Sequence, residues 1–158
     1  MDSSVKEGLS FGLTSGAITT LGLMVGLNSG THSELVVVGG VLTIAIADAF
    51  SDALGMHMSA ESSNQKNARQ VWEATITTFF AKLVFALTFL VPIFLLPLSI
   101  AVLVSIAYGL GVLALMSFFI AKQEKIACWR VIAEHLAIAI VVIIISSFVG
   151  NWISATFV

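Results

Sequence analysis

The sequence predicts an all-α integral membrane protein with five transmembrane helices. Three observations carry that expectation. Hydrophobic residues make up 58% of the chain and the mean hydropathy is +1.06. Charged residues are only 10%, against about 25% in soluble domains. Five apolar stretches are each long enough to cross a hydrocarbon layer of about 30 Å.

The stretches cover residues 8–27, 35–58, 72–91, 97–121 and 131–153, within one transmembrane domain over residues 1–158. The first is rich in small residues, with Gly8, Gly12 and Gly16 spaced by four and Gly22, Gly26 and Gly30 repeating the pattern. Such faces let two helix backbones approach closely, either within the chain or along the seam of a homodimer. The residues before Glu7 are too few for a cleavable leader, so the first span is expected to be retained. Trp72, Trp129 and Trp152 fall near span ends, which suits anchoring at the membrane surface.

Basic residues orient the spans. Lys6 precedes the first, Lys66 and Arg69 separate the second and third, and Lys122, Lys125 and Arg130 separate the fourth and fifth. The alternate loops have no Lys or Arg. The N-terminus is therefore expected in the cytoplasm and the C-terminus outside or in a lumen. A net charge of −2 provides no basic surface for nucleic acid, and the lone Cys128 excludes an intrachain disulfide or a multi-cysteine cluster.

The second span carries the chemistry. Asp48, Asp52 and Met56 interrupt an apolar run, and carboxylates near mid-bilayer cost about 2.5–3.5 kcal/mol each on insertion scales. Spacings of four and eight residues advance a helix by about 40° and 80°, so the three side chains share one face. Two hard oxygen donors and one thioether suit a transition-metal ion. Lys82 is the one basic residue inside a span. Counted from the cytoplasmic boundary, Asp48 and Lys82 are equally deep, about 15 Å in at 1.5 Å per residue, so an antiparallel pair can bring them together.

Asp52, Met56, Glu7 and Glu134 are placed nearer the cytoplasm, where they would form a vestibule. Glu7 and Glu134 also fit a simpler role in first helical turns, where negative charge favours the helix dipole. His57, Met58, Cys128 and His135 read as interface or packing residues, and His32 as solvated. No phosphate-binding glycine loop, HExxH or GxSxG is present, and no His lies at a depth to complete a hydrolytic triad, so no enzyme is expected.

These residues resemble the vacuolar iron transporter family. The first span opens Glu7-Gly8-Leu9 and continues to Leu13-Thr14-Ser15-Gly16. The second holds Asp48 and, eight positions on, Met56 after Gly55, and a Pro92–Pro97 turn follows the third. The resemblance implies a homodimer that exports cytosolic Fe²⁺, often Mn²⁺, in exchange for protons across a cell or vacuolar membrane. It assigns ion passage to Glu7, Asp48 and Met56 and requires no prosthetic group. Two departures stand out. Glu7 replaces the usual Asp, and the Glu-rich domain that many members insert between the second and third spans is absent, since only residues 59–70 connect them. The residues alone point to an ion-coupled transporter, with a non-transporting membrane subunit or a proton-coupled carrier of another solute as alternatives.

Overall fold

Six helices, which make five segments long and apolar enough to cross a membrane, account for nearly all of the residues 3–63 and 66–157 described by the computed structural model. They are α1 (Ser3–Thr31), α2 (Glu34–Ser62), α3 (Ala68–Thr88), α4 (Leu90–Leu95), α5 (Leu98–Gln123) and α6 (Cys128–Phe157). No strand occurs among the described residues. Residues 64 and 65 of the expected 59–70 connector lie outside them.

α1, α2 and α6 outrun their apolar stretches at both ends, and polar side chains cap the starts of α2 and α3. Ser33 accepts a hydrogen bond from the Val36 N–H to start α2. Asn67 and Gln70 form a reciprocal capping box at the start of α3. His32 (φ 51°) turns the chain between α1 and α2, a left-handed conformation found at helix C-termini.

The third span is two helices rather than one. Pro92 has no N–H to give the carbonyl of Thr88, and its ring crowds that carbonyl, so α3 ends there and α4 restarts after Phe89. Leu96 is then extended (φ −133°, ψ 153°), as the residue before Pro97 prefers.

The long α1 is the hub. Half of its apolar stretch is buried, against about a tenth of that of α6, and it packs on α2, α3, α5 and α6. Glycine makes this possible. A Cβ on Gly12 would lie 2.7 Å from the Thr78 carbonyl oxygen and 3.0 Å from Ala81 Cβ, and one on Gly8 would strike the Ala74 carbonyl. The upper glycines meet α6, where Gly26 and Gly30 cross Gly150. Gly8 and Gly26 are about five full turns apart and so point the same way, one toward α3 and one toward α6. The seam expected along Gly8, Gly12 and Gly16 is therefore filled within the chain by α3.

Beyond this, Leu21, Met24, Val41, Phe85, Phe89 and Ile93 close an apolar core in the half of the bundle away from the basic residues. Replacing Gly12 with Leu should cost about 1–3 kcal/mol or more through overpacking, seen as a lower Tm. Gly111→Leu, where an added Cβ meets nothing within 4 Å, should leave the Tm unchanged.

Candidate functional site

Midway along α2, the buried face is all alanine: Ala45, Ala49 and Ala53. These small side chains bring α2 close to its neighbours and leave the adjacent positions, Asp48 and Asp52, facing α1 and α3. From α3, Lys82 extends between them. Its stem passes Gly16 of α1, where a Cβ would lie 3.4 Å from Lys82 Cγ. The ammonium ends among oxygens. Nζ lies 2.5 Å from Asp48 Oδ2, contacts Asp52 Oδ2, and donates to Ser15 Oγ at 2.8 Å. Ser15 Oγ in turn donates to Asp52 Oδ2 at 2.6 Å. Thr19 Oγ1 donates to the Ser15 carbonyl at 2.9 Å.

Lys82 is 1% exposed, whereas Asp48 and Asp52 keep 22% and 19%. The cation is sealed inside, and the acids reach the bundle's surface. Asp48 Oδ2 is itself buried, with the Lys82 ammonium against it. Two carboxylates against one ammonium leave the cluster one negative charge in excess. Chemically it is a cation cradle of carboxylate and hydroxyl oxygens that already holds a tethered cation.

The expected pairing of Asp48 with Lys82 is present, and Asp52 joins it rather than standing apart in a vestibule. Met56 is buried one turn further toward the basic end. Glu7 pairs with Lys66 at that end. It also lines a polar cleft of about 530 Å³ with Ser3, Lys6, Ser10, Gln123 and Glu124. Glu134 pairs along its own helix with Arg130 at 3.1 Å, both side chains well exposed, and takes no part in the cluster. Among the described residues, no three His, Cys, Asp or Glu side chains of one chain gather closely enough to hold a metal ion.

His57 and His135 each link two helices. Thr75 Oγ1 gives its proton to the Val71 carbonyl, so it accepts from His57 Nδ1 at 3.0 Å. Ser117 likewise gives its proton to Leu113 and accepts from His135 Nδ1 at 2.7 Å, joining α5 to α6. Sequence reasoning did not single out Ser15. Its depth was available, but Thr14 shares it and Thr19 lies only about one turn on, and only the rotation of α1 selects Ser15. No family model, curated protein or solved structure matches the chain.

Removing Lys82 alone, as in Lys82→Met, should destabilise the protein by about 3–5 kcal/mol by leaving two acids uncompensated. Adding Asp48→Asn and Asp52→Asn to that variant should recover most of the loss. Unfolding titrations of the single and triple variants in detergent measure both effects.

Proposed function

We propose that this chain is a divalent metal/proton antiporter, exporting Fe²⁺ or Mn²⁺ from the cytosol as a homodimer. The observation that carries the reading is the oxygen cradle of Asp48, Asp52 and Ser15 around the Lys82 ammonium within the membrane-spanning region. Acids at this depth are costly unless they serve an ion. A metal arriving there meets two carboxylates and a hydroxyl grouped around one cation. It takes the place of the ammonium among the same oxygens, and Lys82 refills the cradle after the ion leaves. Met56, one turn away, adds a soft donor that favours softer transition metals over Mg²⁺ or Ca²⁺. Protons pass the other way.

The polar cleft at Glu7 suits entry from the basic end, which the positive-inside rule assigns to the cytoplasm. The resemblance of the first two spans to the vacuolar iron transporter family agrees with this direction and cargo.

The ligand set of one chain is incomplete, and a second copy supplies the rest. Gly39, Thr43, Ala47, Ser51 and Gly55 recur every fourth residue on an exposed face of α2, beside the two acids. A Cβ on Gly39 or Gly55 would meet nothing within 4 Å. Two such faces can meet closely around a two-fold axis and cover the acids from lipid.

One observation favours a second reading. Lys82 contacts both acids at once, as a purely structural ion cluster in a non-transporting subunit would require. Flux separates the two. In proteoliposomes with an acidic interior, Fe²⁺ or Mn²⁺ uptake should accompany proton release, and Asp48→Ala should slow it about tenfold or more, a barrier change of about 1.4 kcal/mol. Equal transport by wild type and Asp48→Ala rejects the assignment. A folded wild type with no flux favours the structural reading.

A further inference from the structure

At the basic end of α2 and α3, a polar cleft and an apolar groove share two walls. The groove, about 370 Å³, is lined by Phe50, Leu54, Phe79 and Phe80 and opens outward between the two helices. The cleft, about 310 Å³, is bordered by Glu61 and Lys66. His57 and Trp72 line both, their rings 4.8 Å apart, so the two spaces adjoin near the end of α2 and the start of α3.

We propose that this joint binds one zwitterionic phospholipid carrying a primary amine, with an acyl chain in the groove and the headgroup in the cleft. Charge decides the headgroup. The cleft presents Lys66, itself ion-paired with Glu7, together with Glu61, so a headgroup carrying both a phosphate and an ammonium finds a partner for each. Lys66 has three N–H groups and uses one on Glu7, leaving donors for a phosphate oxygen. His57 donates through Nδ1 to Thr75, so in the neutral ring Nε2 is the acceptor. Glu61 and His57 together suit an ammonium, while a headgroup with phosphate alone meets Glu61 as a repulsive neighbour. Trp72, 57% exposed, presents an amphipathic ring at the boundary between head and chain. The aromatic walls below are exposed only to an apolar surrounding, and an acyl chain fills them without a polar cost.

The proposal does not depend on metal transport. Native mass spectrometry of the full chain, released from nanodiscs holding equal phosphatidylethanolamine and phosphatidylglycerol, tests it. Wild type should retain phosphatidylethanolamine about tenfold over phosphatidylglycerol, the worth of one charge-assisted hydrogen bond. Glu61→Gln, a conservative change at an exposed position, should bring the two lipids near parity with an unchanged Tm. Leu54→Trp, which fills the groove, should reduce retention of both. Equal retention by wild type, a preference for phosphatidylglycerol, a preference undiminished in Glu61→Gln, or full retention by Leu54→Trp would each overturn it.

Discussion

One lysine buried between two aspartates sets the terms for the rest of this bundle. An ammonium and two carboxylates cannot enter an apolar interior separately, so α2 and α3 must face each other in one register. That register in turn demands close neighbours. Ala45, Ala49 and Ala53 keep α2 thin on its inner face, and Gly16 clears a path for the lysine stem. The apolar surroundings make the ion contacts strong, and the ion contacts give an otherwise slippery apolar bundle a single alignment.

Glycine does the complementary work. In a membrane, lipid competes equally for apolar side chains, so helices associate where backbones can touch. On α1 the same azimuth serves α3 through Gly8 and Gly12 and α6 through Gly26 and Gly30. One helix side thereby holds two partners at different heights, which is why α1 rather than a more apolar helix is the centre. By contrast α6 is attached mainly through this crossing, a Ser29–Ser147 hydrogen bond at 3.1 Å and the Ser117–His135 link.

The span pattern was legible because hydropathy reports length and depth directly, and all five long apolar segments occur where the apolar runs lie. Depth also allowed Asp48 and Lys82 to be matched, since rise per residue is a constant of the helix. Azimuth was not legible. Nothing in Gly8-xxx-Gly12-xxx-Gly16 distinguishes a face turned toward α3 from one turned toward another chain, and nothing in a serine at mid-span marks Ser15 as the hydroxyl that joins Lys82 to Asp52. The reach of Lys82 to a second carboxylate likewise depends on a side chain long enough to span one helical turn, a matter of rotamer rather than of order along the chain. The break before α4 was misplaced for a different reason: the sequence puts the span's end at Val91 and a turn from Pro92, whereas the proline interrupts the helix one turn earlier, after Thr88, and helix resumes through Leu95.

The cluster's position between the two ends of the bundle also gives it an electrical address. Across an energised membrane, a unit charge that traverses the full thickness does about 2.3 kcal/mol of work per 100 mV. Any ion that displaces the Lys82 ammonium, or follows its departure, crosses part of that drop. Were such an exchange to occur, its free energy would carry a share of that work, so a change in membrane potential would bias the cluster by no more than that share.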